Sequence, residues 1–277
     1  MAKLIDMEAR FREYLSGYRK KHEIDEELME EVAPELYLRW LDLPMEELEG
    51  KSPNEFYAST SGGDLVVLLG EYFFSKLQIP GALLGSIVDA KEESYPFVCA
   101  LLQNYEGEHS DEFKAMLVEL IEEMEMPHPY EYYIGVIEGE ADGDHFSEAC
   151  VDALKGSGSA VKDALMAAYE RAEAEYAREC FLDILSDLTY DERVFAYVLD
   201  KFLYTTDKHA FYASCLGKLG NEKALPYLEE VLRQEGLSYF DYVSIRNALE
   251  ELGGEINIER DFAGDEDYDV LSDMEET

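Results

Sequence analysis

The sequence predicts an all-α fold, an α-α superhelix of stacked antiparallel helix pairs, and three observations point to it. Leucines recur at Ala153-Leu154, Ile184-Leu185, Cys215-Leu216 and Ala248-Leu249, spaced 31, 31 and 33 residues apart. That interval is the length of one helix–turn–helix repeat. Apolar residues keep helical spacing from end to end, and strand-like alternation is rare. No helix has enough apolar surface to bury itself alone, so each needs neighbours stacked on both sides.

From the N-terminus, two amphipathic helices are predicted near residues 4–20 and 24–41. Leu43-Pro44 and Gly50-Lys51-Ser52-Pro53-Asn54-Glu55 then punctuate a turn and a short helix. Residues 1–60 read as an N-terminal helical cap or small helical domain. Residues 61–254 read as the repeat array, clearest over 145–254. Within it, Phe97 to Leu102 follow Pro96. Ser110 is predicted to cap a helix carrying Phe113, Met116, Leu117, Leu120, Ile121 and Met124 on one side. Both fit divergent repeats.

The clearest helix starts at Asn221, a good N-cap, after Gly220 closes the helix before it. Ala224, Leu225, Leu228, Val231 and Leu232 share one face, and Gly236 ends the helix. Pro226 is expected to kink it by removing an internal hydrogen bond. Ser238 caps the next helix, whose face is Tyr242, Ile245, Ala248, Leu249 and Leu252; Gly253-Gly254 stop it. Residues 255–277 hold ten acids and one base, Arg260, which predicts an acidic, mostly disordered tail. Its few apolar residues include Ile256 and Ile258. These lead us to expect 255–262 to pack on the last helix, with no regular structure beyond Asp265.

The run Leu216-Gly217-Lys218-Leu219-Gly220-Asn221-Glu222-Lys223-Ala224-Leu225-Pro226-Tyr227-Leu228 resembles the junction of HEAT-like repeats, particularly the short bacterial type known from phycobilin lyases. The family pattern is Ala-Leu-Gly-x-Ile/Leu-Gly-Asp followed by Ala-Val-Pro-x-Leu. Ala248-Leu249-Glu250-Glu251-Leu252-Gly253-Gly254 repeats its first part, and Ala153-Leu154-Lys155-Gly156 and Ile184-Leu185-Ser186-Asp187-Leu188 echo it. The usual Asp is Asn221 in one copy and Gly254 in another, so the cap between helices differs there. The resemblance implies that the second helix of each pair lines a concave face. In the last repeats that helix presents Lys208, Ser214, Lys218, Tyr242, Arg246, Asn247 and Glu250 to a partner.

Charge narrows the partner. With 63 Asp+Glu against 23 Lys+Arg, the formal net charge is −40. Such a field repels phosphate backbones and anionic membranes and attracts basic proteins or peptides. Solubility alone, or a salt-adapted host, accounts for the same composition. The four cysteines (Cys99, Cys150, Cys180, Cys215) lie far apart and mostly in apolar helical stretches, where thiols behave as small hydrophobes. The acidic start of the chain does not read as a signal peptide, and purely apolar runs such as Leu65 to Leu69 are too short to span a bilayer. A cytoplasmic protein is expected.

Catalytic patterns are missing: no HExxH, GxSxG, Walker A or paired CxxC occurs, and no two of the five histidines share a helical turn. Residues 138–148 place acids at alternate positions with Gly143 sixth, as in a calcium loop. Position twelve is Ala149 where a bidentate Glu is required, so the segment reads as an acidic connector. Lys155-Gly156-Ser157-Gly158-Ser159 is glycine-rich but follows a helix, which makes it a turn between repeats and not a phosphate loop. The clusters Tyr130-Tyr132-Tyr133 and Tyr239-Phe240-Tyr242 either fill gaps between helices or supply contact area.

These readings predict a non-enzymatic interaction scaffold with no cofactor and no metal, facing a basic protein or peptide. The alternatives are a phycobilin-lyase-like enzyme or accessory, as the resemblance implies, and an acidic mimic of nucleic acid.

Overall fold

The computed structural model describes residues 4–140, 142–188, 190–255, 258, 260–265 and 267–270. Among them the protein is all-α, as expected, with fifteen longer helices and no strand. They form two compact units, one up to Pro129 and one from Tyr130.

The first unit holds α1 (Met7–His22), α2 (Glu26–Trp40), α3 (Pro53–Ala58), α4 (Gly62–Phe74), α5 (Gly81–Asp89), α6 (Lys91–Asn104) and α7 (Ser110–Glu123). Capping residues set the starts of several. Asp6, Asp25 and Ser61 each accept from a backbone N–H of the first turn, and Ser52 forms a capping box with Glu55. The N-terminal segment is pinned by a buried tyrosine pair: Tyr72 donates to the Ile5 carbonyl (2.9 Å) and lies 3.3 Å from the Tyr57 hydroxyl. Burial raises both phenols above their ordinary range, which keeps them neutral.

One expectation is corrected here. Ser110 does not cap α7. His109 holds that place in a left-handed conformation (φ 54°), and the Ser110 hydroxyl instead donates to the Tyr105 carbonyl. Phe113, Leu117, Leu120, Ile121 and Met124 are buried as the spacing predicts, with Met116 half-buried.

α4 and α6 run side by side in the same direction. At their starts the Gly62 N–H donates to the Glu93 carboxylate (3.1 Å), and at their ends Phe74 stacks on Tyr105 at 4.8 Å between ring centres. The intervening α5 packs on both.

The second unit repeats this plan with greater regularity. It holds α8 (Tyr130–Gly139), α9 (His145–Lys155), α10 (Lys162–Arg171), α11 (Glu175–Asp187), α12 (Glu192–Tyr204), α13 (His209–Leu219), α14 (Leu225–Leu232) and α15 (Tyr239–Glu251). The four recurring leucines fall on α9, α11, α13 and α15, and all four are buried. These helices pack in sequence, each on the next, while α10, α12 and α14 pack on the helix that follows each. Members of the row run parallel. Ser147 meets Tyr176 at 3.1 Å at the starts of α9 and α11, and Lys155 meets Asp183 at 2.7 Å towards their ends. Likewise the Ala210 N–H donates to Asp241 at the starts of α13 and α15 (2.9 Å).

The motif around residue 216 has a mechanical basis. Gly220 adopts φ 66°, which lets the chain reverse out of α13 without a Cβ clash. Gly217 lies where a Cβ would come within 3.2 Å of the Ala248 Cα, so its missing side chain lets α13 and α15 approach closely. Asn221 does accept from a backbone N–H, that of Lys223, but the turn it opens is 3₁₀ (Glu222–Ala224). α14 proper therefore begins at Leu225, and Pro226 sits in its first turn, where the missing N–H breaks no helical bond. The expected kink is thereby corrected.

Beyond Gly254, the described residues Ile258, Arg260, Phe262 and Tyr268 lie against the last helices. Tyr242 donates to the Ile258 carbonyl, and the Phe262 ring lies 5.1 Å from that of Tyr242 and 5.2 Å from that of Tyr239. Arg260 donates to the Leu232 and Gln234 carbonyls at the end of α14, where a cation complements the helix dipole. Leu252 is covered, as expected. Residues 267–270 form a helical turn where no regular structure is expected, and within it the Tyr268 ring meets Tyr239 edge-on at 5.1 Å. Ile256 and Leu271 lie outside the described residues.

Candidate partner-binding surfaces

The residues that the resemblance assigns to a partner all fall in the second unit, but they do not make one available surface. Ser214, Arg246, Asn247 and Glu250 are exposed. Arg246 is paired with Glu250 along its own helix at 3.0 Å. Lys208 lies in a short 3₁₀ turn before α13 and is held by Glu179 (2.6 Å), whose carboxylate also accepts from Tyr212 (3.1 Å). Tyr242 is a correction: it is buried, with the Phe262 ring 5.1 Å from its own, and its hydroxyl is used on the Ile258 carbonyl.

Lys218 belongs to a ladder that crosses three helices. Its Nζ lies 2.7 Å from Asp183 and 3.0 Å from Asp187 on α11, and Lys155 of α9 meets the other oxygen of Asp183 at 2.7 Å. Burial raises the pKa of Asp183, but the two lysine hydrogen bonds outweigh it and hold the carboxyl below its ordinary value. For Lys218, burial works against the charge, and the two aspartates more than restore it. These cations are committed to holding repeats together.

The features weighed for chemistry resolve into structural roles. Glu138 pairs with Arg171 at 2.7 Å, and Asp144 caps α9 by accepting from the Ser147 N–H at 2.7 Å, so the calcium-like acids do not converge. The glycine-rich turn carries Gly158 at φ 64° and leads into a 3₁₀ turn (Gly158–Val161) before α10. Burial pushes the Cys215 thiol up to about 12 and raises those of Cys99 and Cys180, which disfavours the thiolate a nucleophile needs. Tyr133 fills the core, whereas Tyr204, Tyr190 and Tyr227 stay exposed on the second unit.

A concavity in the first unit has no counterpart in the sequence reading. It is a groove of about 920 Å³ between α4 and α6, with Gly63, Gly70 and Ala100 among its lining residues. Three large apolar side chains line it while open to solvent: Val67 (59% exposed), Phe97 (50%) and Phe74 (44%). The Phe97 ring lies over Gly63, where a Cβ would come within 2.9 Å of it. Glu71 is the one charged residue among the described residues lining the groove. The available signal was the Leu65–Leu69 run: α4 is apolar nearly all round, more than one buried face requires.

No family model, curated protein or solved structure matches the chain. The HEAT-like reading therefore rests on its own residues. No described helix is long and apolar enough to cross a membrane.

Proposed function

We propose that this chain is a non-enzymatic interaction scaffold, a HEAT-like α-α superhelix that presents an acidic surface to a basic protein or peptide in the cytoplasm. The observation that carries the reading is where the positive charge goes. Lys155, Lys208 and Lys218 are all drawn into contacts between successive helices, while the chain as a whole holds 40 more acids than bases. Carboxylates left without cations dominate the outward field, which speeds encounter with a basic partner and rejects acidic ones. The parallel row α9, α11, α13 and α15, with its steps of 31, 31 and 33 residues, supports the repeat assignment.

The test is affinity capture from the host's own lysate at low salt with the full chain as bait. A basic protein recovered in stoichiometric amount, and released on raising the salt to about 0.5 M where the Debye length falls to a few ångströms, is the expected result. Recovery of no partner at either ionic strength sinks the scaffold reading.

A further inference from the structure

We propose that the groove between α4 and α6 is a docking site for a single amphipathic helix that carries bulky apolar residues on one side and lysine or arginine beside them. The inference rests on the scaffold reading above and names the chemistry of its partner.

Shape supplies the first argument. α4 spans thirteen residues, about 20 Å at the rise of an α-helix, so the groove beside it matches about three turns of a ligand helix. Its walls are the half-exposed side chains of Val67, Phe74 and Phe97, and the small, exposed Ala100 lets a partner's side chains approach the α6 backbone. Exposed apolar patches of this kind mark interaction sites, and a helix lying in such a trough is read through anchors at i, i+3 or i+4, and i+7.

Charge then selects among the possible occupants. Glu71 points the groove's own charge at the ligand, and no Lys or Arg is among the described lining residues. A second copy of this chain brings another −40 to the contact, which opposes self-association. The chain's own C-terminal end carries Asp273, Glu275 and Glu276, and it meets the same repulsion. A foreign helix with basic flanks is the occupant whose apolar stripe and charge both match.

The test uses the full chain and three synthetic helical peptides read by fluorescence anisotropy at low salt. The first has a Leu stripe with Lys flanks, the second the same stripe with Glu flanks, and the third Lys without the Leu stripe. The first is expected to bind at least tenfold more tightly than either of the others. Val67→Lys, at a half-exposed position, should weaken it by tenfold or more, and Glu71→Lys should weaken it as well. Gln234→Lys, which makes the same charge change as Val67→Lys but on the second unit, should leave it within about twofold. Melting curves of the variants confirm folding.

If Val67→Lys binds the first peptide as Gln234→Lys does, or if the Glu-flanked peptide binds equally well, the groove assignment is overturned. Binding of the third peptide as tightly as the first overturns the groove and leaves the acidic scaffold standing. If no peptide binds, the groove falls, and the scaffold reading is decided by the lysate capture. A wild-type dimer that Val67→Lys converts to monomer assigns the groove to a second copy and overturns the proposal too.

Discussion

Lys218 of α13 reaches back to Asp183 of α11, with Nζ 2.7 Å from Oδ1, while Lys155 of α9 holds the other oxygen of the same carboxylate at the same distance. One side chain thus ties three successive helices of the row. Its cost is the desolvation of a largely buried carboxylate, and two cations offset it.

Asp183→Asn should destabilise the second unit by about 1.5–3 kcal/mol, the range for hydrogen bonds to charged groups, because both lysines then share only Asp187. The sign with pH follows from the depressed pKa of Asp183. Its contribution is fully present above the carboxyl's unfolded-state value and disappears as pH falls through the lower folded value. The gap in unfolding free energy between parent and Asp183→Asn should therefore be full at neutral pH and shrink in acid. Urea denaturation at a series of pH values measures it. A gap that widens in acid contradicts the assignment.

Gly217→Ala tests the close approach of α13 and α15. Alanine gains about 1 kcal/mol of helix propensity over glycine in an exposed helix. Here the new Cβ meets the Ala248 Cα at 3.2 Å, and backbone cannot swing away as a side chain can. Overpacking of this kind costs about 1–3 kcal/mol, so the net change should be destabilising. A raised melting temperature would show that the two helices have room to part.

Leu249 is 1% exposed on the inner face of α15. Leu249→Ala should cost about 2–5 kcal/mol through lost transfer energy and the cavity left behind. Leu249→Asp should unfold the C-terminal repeat, because it buries an unpaired charge. Circular dichroism melts read both. A melting temperature for Leu249→Asp equal to the parent's refutes the assigned helix face.

Local rules made much of this fold legible. Ser238 caps α15 and Gly220 ends α13 because capping and left-handed turns depend on a few neighbouring residues. The leucine period marked the packed row because every member buries the same face. Pro226 does not kink α14, because the 3₁₀ turn at 222–224 moves the start of that helix forward and leaves the proline at its beginning. Tyr242 has the spacing of a helix face, but its cover comes from Ile258 and Phe262, and no local pattern announces a returning segment. The groove was hidden for a related reason. The sequence of α4 reveals excess apolar surface, but only the placement of α6 decides which part stays uncovered.

The returning tail supplies the last prediction. Asp265 accepts from the Tyr239 N–H at the start of α15 (3.1 Å), one of the amides that a helix leaves without an internal partner. Tyr268 adds a ring to the cluster of Tyr239, Tyr242 and Phe262. Truncation after Gly264 removes Asp265 and Tyr268 but keeps Arg260 on the α14 carbonyls and Phe262 on Tyr242. It should cost about 1 kcal/mol, the usual worth of a helix cap. Truncation after Gly254 strips the Ile258, Arg260 and Phe262 contacts as well and uncovers Tyr242, so the loss should be several times larger. Urea midpoints of the two truncated chains decide between a clasp centred on Ile258, Arg260 and Phe262 and one that depends on the acidic end. Equal losses in the two chains place the clasp beyond Gly264, since the shorter deletion alone then accounts for the whole effect.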